Sequence, residues 1–234
     1  MSLLFEERQV VIPGDLIAEG DFIAGENTYK ENNKIHSQKL GLVAVDGKKV
    51  FVVALKSKYI PKVGDLIVGQ VIDLSLNGWY LDINTIHDAS LSVSDVTGKP
   101  FNPKLEQMTK ILDLGDITIG KVIACERNRN PSITIRGPPP FGKVEDGIII
   151  VLTPSKVPRL IGKKGSMINM LKQETGCEIV AGQNGKILLE SKGHDAIDLA
   201  IKAIQMIEDQ SHTSGLTDRI KVFLKSKKEG ERSG

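Results

Sequence analysis

Gly137 is followed by three prolines, and the hydrophobic pattern of the chain differs on their two sides. Each proline fixes φ and lacks an N–H, so neither a strand ladder nor a helix runs through Pro138-Pro139-Pro140. Such a run is a semi-rigid, extended spacer. Upstream, short β-branched runs alternate with Gly, Asn and Asp. Downstream, apolar residues recur at helical spacing, as in Ile197, Ala200, Ile201, Ile204 and Ile207. A chain of 234 residues has room for two or three small domains, and the reading is multidomain.

Residues 1–62 read as an all-β N-terminal domain. VVI at 10–12, GLVAV at 41–45 and KVFVVAL at 49–55 are strand-like and are punctuated by Pro13-Gly14, Asn32-Asn33 and Asp46-Gly47. Asp-Gly between two β-branched runs is a hairpin signal. No basic or aromatic cluster suited to a nucleic acid is visible in this segment. Residues 63–137 carry an internal echo, VGDLIVGQVIDL at 63–74 against LGDITIGKVIAC at 114–125. Each copy reads as a turn feeding a strand, with a second glycine that marks a bulge or a close backbone approach. GWYLDI at 78–83, PSITIRG at 131–137 and LSVSDV at 91–96 supply further strands. About five short strands in this span fit a five-stranded barrel of the OB-fold type. Trp79 and Tyr80 are adjacent on one strand, so alternation sends them to opposite faces. One packs and the other is a candidate for stacking on a base.

Residues 145–210 read in the order strand, helix, GKKG, helix, strand, strand, helix. GIIIVLT opens the segment, SMINMLKQETG is a helix closed by Gly176, CEIVA and KILLES form a hairpin, and a strongly amphipathic helix follows. Residues 211–234 are a polar, basic tail with a further helical turn or two near LTDRIKVFL. A helix–GxxG–helix in a small α+β unit matches the KH domain, which clamps the backbone of a single strand. Gly162 and Gly165 let a sugar-phosphate backbone approach with no Cβ in the way. The helix beginning at Ser166 points its free N–H groups and positive dipole end at phosphates. Lys163 and Lys164 add mobile charge. Lys156, Arg159 and Lys172 complete a basic patch, because 154–173 contains no acidic residue. The GxxxxGK[ST] phosphate loop is absent.

Whole-chain charge does not announce this function, since the net charge is only +2. Cys125 and Cys177 lie far apart with no CxxC spacing, which excludes a four-cysteine zinc site. They are read as buried thiols, with a disulfide as the alternative. His36, His87, His194 and His212 fall in no nucleophile, triad or metal spacing, so no catalytic residue, metal or cofactor is expected. The longest aliphatic run, IIIVL at 148–152, is far too short to span a bilayer, and the charged N-terminus lacks an apolar leader core. The expectation is a cytoplasmic protein with no membrane partner.

GWYLDI with the flanking Gly-Asp repeats resembles the S-one RNA-binding barrel, and the α+β segment resembles the KH type with a C-terminal helix. VIPGDLIAEG at 11–20, KYIPKVGDLIVGQV at 58–71, RLIGKKGSMINMLKQETGCEIVAGQNG at 159–185 and HTSGLTDRI at 212–220 together resemble the RNA-binding cap subunits of the archaeal exosome. That resemblance covers nearly the whole chain. It implies a non-catalytic role, with three cap copies on a hexameric exoribonuclease ring. The caps gather single-stranded RNA and feed its 3′ end inward, and the N-terminal domain docks on the ring. The barrel departs from S-one domains that grip bases strongly. Of the positions that carry two aromatics and a histidine there, here Asn77, Tyr80 and Ser92, only Tyr80 fits. The alternative is a free-standing S-one/KH RNA-binding factor in translation or transcription.

Overall fold

A computed structural model describes residues 2–55, 58–98, 105–126, 129–191, 193–210, 213 and 215–231. The chain forms two compact units, 1–57 and 58–234.

The first unit is all-β. Its strands are β1 (Ser2–Leu3), β2 (Val10–Val11), β3 (Leu16–Glu19), β4 (Ile23–Ala24), β5 (Thr28–Glu31), β6 (Lys34–Ser37), β7 (Gly41–Asp46) and β8 (Lys49–Ala54). They form two four-stranded sheets, ordered β1-β3-β6-β5 and β2-β7-β8-β4. Val11, Ile17, Ile35, Val43, Val50 and Val52 fill the core between them. The expected hairpin is present, with Asp46 opposite Lys49 across a two-residue loop led by Gly47 at φ 57. Its pairing brings together what the sequence kept apart. Tyr29 and His36 face each other on β5 and β6, with ring centroids 5.2 Å apart and planes 20° apart. Strand register thus builds a stacked pair that residue spacing did not show.

The second unit begins with the barrel. Strands β9 (Leu66–Ser75), β10 (Gly78–Asp82), β11 (Ala89–Ser92), β12 (Ile117–Ala124) and β13 (Ser132–Thr134) close through the β13–β12 pairing, and β14 (Gly142–Val144) extends the β12 edge. The five-stranded closure is the one expected. LSVSDV is only half strand. Ser92 ends β11 and caps α1 (Val93–Thr97) by accepting a hydrogen bond from the Asp95 N–H at 3.2 Å. A second helix, α2 (Leu105–Ile111), has no counterpart in the sequence reading. It places Met108 in the barrel core, followed by Leu112.

The two echoing segments are neighbours in space. They form the antiparallel pair β9 and β12, with Val68 opposite its counterpart Ile119. The hydrogen bonds around this point repeat in both directions. Val71 N–H donates to Asp116 C=O at 2.9 Å and Val122 N–H to Asp65 C=O at 3.0 Å. Gly64 N–H reaches Val122 C=O at 2.8 Å and Gly115 N–H reaches Val71 C=O at 2.9 Å. The echo is a local twofold within one barrel. Its second glycines mark close approach. A Cβ on Gly69 would sit 3.0 Å from the Leu81 side chain, and one on Gly120 would sit 3.1 Å from Thr134 O.

The α+β part comprises β15 (Ile148–Val151), a 3-10 turn at Pro154–Lys156, α3 (Val157–Ile161), a second 3-10 turn at Lys163–Gly165, and α4 (Ser166–Thr175). After these come β16 (Glu178–Ala181), β17 (Lys186–Glu190), α5 (His194–Asp209) and α6 (Leu216–Glu231). The sheet order is β15-β17-β16. The helices cover one face, over a core of Leu152, Leu160, Leu171, Ile179, Ile187 and Ile204. The tail differs from expectation. α6 runs 16 residues because Leu216, Ile220 and Leu224, at i, i+4 and i+8, bury on this core. Cys177 is buried, whereas Cys125 is exposed and both thiols are free, so the expectation of burial fails at Cys125.

The other sheet face seals against the barrel. Leu188 packs with Val68 and Ile119, joined by Ile149 and Val180. The loop between β16 and β17 is the key contact. Asn184 is fully buried. Its Nδ2 donates to Val68 O at 2.7 Å and Ile83 O at 3.0 Å, and its Oδ1 accepts from Val68 N–H at 3.3 Å. Gln183 N–H donates to Leu66 O at 2.9 Å. Lys186, also buried, donates to the Asp82 carbonyl at 2.8 Å and its carboxylate at 2.7 Å. A Cβ on Gly182 would lie 2.2 Å from Asn184 Oδ1, so only glycine fits. Barrel and α+β segment therefore form one hydrogen-bonded unit.

Candidate nucleic-acid interface

The first candidate surface is the loop between α3 and α4. Gly162 has φ 73 and ψ 176, Lys164 φ 53 and ψ 31, and Gly165 φ 78 and ψ 11. The two glycines are thus needed first for backbone conformation. At Gly162 a Cβ would also meet Met167 at 2.9 Å, whereas at Gly165 the nearest atom is Asn169 Nδ2 at 3.5 Å. The surface above Gly165 is open to an approaching strand. Lys163 and Lys164 are exposed, and among the described residues neither makes an ion pair. Among the described residues no side chain caps the N-terminus of α4, so its dipole and the first-turn N–H groups beyond Ser166, whose own N–H donates to Lys163 C=O, face the same space. Ser166 and Asn169 are exposed there. Asn169 was not singled out from the sequence. Only the turn geometry brings it beside Gly165.

The remaining basic residues are placed differently. Arg159 is exposed on α3 and donates through Nη2 to the Thr213 carbonyl at 3.2 Å. Lys156 is half-buried in the turn before α3. Lys172 lies six positions beyond Ser166, about 9 Å along the helix axis, and pairs with Glu178 at 2.8 Å. The loop therefore concentrates its unpaired charge on Lys163 and Lys164.

The second candidate surface is the outer face of the barrel. Trp79 points inward, buried, with its indole N–H donating to Leu112 O at 2.9 Å. Tyr80 points outward beside a recess of about 190 Å³. Asn77 and Ser92, the other two positions singled out in the sequence, line the same recess. Register explains the rest of its lining. Tyr80 stands opposite Ser90, which stands opposite Ser132, and Gly78 lies between Ser75 and Ser92. A platform of hydroxyls surrounds one aromatic.

A third, larger cleft of about 1030 Å³ lies between the barrel edge and the sheet of the α+β part. Glu145, Asp146, Glu178 and Glu190 line it, and that charge opposes a polyanion. Among the described residues no group of three or more His, Cys, Asp or Glu side chains could hold a metal ion. No helix among them is long and apolar enough to cross a membrane.

Comparison with known proteins agrees with this anatomy. Residues 8–56 match the N-terminal domain of the exosome RNA-binding protein RRP4, 58–117 match the RRP4 S1 domain, and 147–209 match the KH domain. The exosome complex component Rrp4 of Thermococcus kodakarensis is 41% identical over 227 residues, covering 97% of this chain and 88% of that protein. The chain belongs to the Rrp4 family. The Rrp4 of Sulfurisphaera tokodaii is 42% identical over 229 residues, covering 97% and 92% of the two chains. That of Methanothermobacter thermautotrophicus is 41% identical over 222 residues, covering 95% and 70%. A crystal structure described as that of an exosome complex RNA-binding protein superposes with a TM-score of 0.69 at 37% identity, covering 75% of this chain and 99% of the other. In Rrp4 family terms, the Gly162–Gly165 loop belongs to the KH domain and the Tyr80 platform to the S1 barrel.

Proposed function

We propose that this chain is a non-catalytic RNA-binding cap of the exosome. It captures single-stranded RNA and guides the 3′ end into a hexameric exoribonuclease ring that carries three such caps. The observation that carries this reading is the loop at 162–165. Two unpaired lysines, an open glycine and an uncapped helix N-terminus converge on one exposed space. Such a site binds phosphates of any sequence, as a factor that handles many RNAs requires. Ser166, and Arg159 and Lys156 at its margin, extend the surface. Lys172 contributes once it leaves Glu178, and Tyr80 offers a stacking face on the barrel. On this reading the chain works in the cytoplasm with RNA and the ring.

The N-terminal unit is the docking element. It is compact by itself, and it presents an apolar row in which Val10 and Val53, 53% and 47% exposed, flank Leu42. Such a row fits a protein partner. The test mixes the chain with rings of phosphate-dependent exoribonuclease subunits. The expected result is co-elution and faster phosphorolysis of dilute RNA, with no degradation by the chain alone. Deleting residues 1–57 should abolish co-elution and leave RNA binding. A chain that elutes alone would return the reading to a free-standing RNA-binding factor, and one that shortens RNA without the ring would be an enzyme.

A further inference from the structure

The hydroxyls around Tyr80 have their protons engaged within the protein. Ser75 Oγ donates to Gly78 O at 3.1 Å, and Ser90 Oγ donates to Pro131 O at 3.4 Å. Ser90 and Ser132 share a hydrogen bond at 3.3 Å, so with the Ser90 proton on Pro131 the Ser132 proton lies on Ser90. Ser92 donates to the Asp95 carboxylate. A hydroxyl has one proton and two acceptor lone pairs. With the protons committed, Ser75, Ser132 and the second oxygen of Asp95 offer acceptors, and the donors of the lining side chains are the Asn77 amide and the Tyr80 hydroxyl. Among the described residues that line the recess there is no Lys, Arg or His. These acceptors repel a phosphate, which is an anion with no proton to give. A neutral group that donates is admitted.

In a nucleotide the sugar 2′-hydroxyl is that donor, and DNA lacks it. We infer that the Tyr80 recess seats the ribose of one nucleotide, and that the barrel, not the KH loop, is where this chain tells RNA from DNA. The volume of about 190 Å³ admits one nucleoside and not a stretch of strand. Its base lies against Tyr80, and its 2′-hydroxyl donates to the Ser90–Ser132–Asp95 edge. The loop at 162–165 presents its charge as ammonium and main-chain N–H groups, with the Ser166 and Asn169 side chains beside them. Those contact phosphates, which both polymers share. The two surfaces therefore divide the work, charge at the loop and sugar identity at the barrel. This inference rests on the RNA-binding reading above.

The test measures anisotropy of labelled oligoadenylate as ribose, 2′-deoxyribose and 2′-O-methyl strands of equal length against the full chain. Wild type should prefer ribose over deoxyribose by about tenfold, the ratio that corresponds to about 1.4 kcal/mol and to one or two hydrogen bonds. The 2′-O-methyl strand should bind no better than deoxyribose, since the donor is gone while ribose-like pucker remains. S90A/S132A should bring the ribose/deoxyribose ratio to within about threefold of unity. K163Q/K164Q should weaken both polymers and leave the ratio unchanged. Trp79, the only tryptophan, reports whether the barrel is folded in each variant. A wild type without sugar preference overturns the inference, and so does tight 2′-O-methyl binding. A ratio that survives S90A/S132A but collapses in K163Q/K164Q moves selectivity to the loop and overturns it as well. Lysine variants that bind both polymers like wild type would instead overturn the phosphate-loop reading, whatever the ratio. A wild type that binds no RNA removes both.

Discussion

Asn184 holds the two RNA-facing domains in one frame, and removing its side chain should be costly. Asn184→Ala deletes three hydrogen bonds and leaves Val68 N–H, Val68 C=O and Ile83 C=O facing a cavity. At the lower end of the penalty for a buried unpaired group, about 1 kcal/mol each, the loss is about 3 kcal/mol. The unit that contains the contact spans residues 58–234. For a domain of that size each kcal/mol lowers Tm by about 2–4 °C, so the expected fall is about 6–12 °C. Asn184→Asp should fall further, because its carboxylate would meet two carbonyl oxygens where the amide now donates. Scanning calorimetry with Trp79 fluorescence as a second probe measures both. Trp79 sits in the barrel wall, so its signal should move with the α+β part. A shift below about 2 °C for Asn184→Ala, or separate barrel and KH transitions already present in wild type, would refute the claim that this loop couples the domains.

Burial works to raise the pKa of Asp82, but the hydrogen bond from Lys186 and the Asn84 N–H outweigh it and hold the carboxyl below its usual 3.8. A value lowered in the folded state stabilises the protein above the unfolded value, and that stability is lost as pH falls through the folded one. The stability gap between wild type and Asp82→Asn should hold at neutral pH and close below about pH 4. Acid unfolding curves that keep the gap at lower pH would contradict this. Trp79→Phe retains most of the apolar volume but leaves Leu112 O without its donor. It should cost about 1–3 kcal/mol in urea unfolding, and a neutral outcome would show that the indole N–H bond is dispensable.

The elements that the sequence announced were those whose signal is local. The Asp46-Gly47 hairpin, the α4 cap at Gly176 and the GKKG loop each follow from a few adjacent residues. What escaped was set by tertiary context. α6 looked polar and basic because most of its residues are, yet three apolar side chains one turn apart suffice to bury it. The Tyr29–His36 stack and the Ser90–Ser132 pair exist only through strand register, which residue spacing does not specify. Asn184 read as a turn residue. Its burial depends on a partner strand more than 100 positions upstream. Lys172 read as part of a basic patch, and Glu178, six residues on, neutralises it. Within the candidate site, charge could be read from sequence and the pairing of that charge could not.

The most direct test of the central claim is the salt dependence of RNA affinity for wild type and K163Q/K164Q. A single-strand phosphate contact contributes about 0.7 to the slope of log affinity against log salt. If each lysine meets one phosphate, the double change should lower the slope by about 1.4 and weaken every RNA sequence by a similar factor, with the fold intact by circular dichroism. A folded variant that binds RNA like wild type at every salt concentration would show that residues 162–165 form a turn between two helices and nothing more.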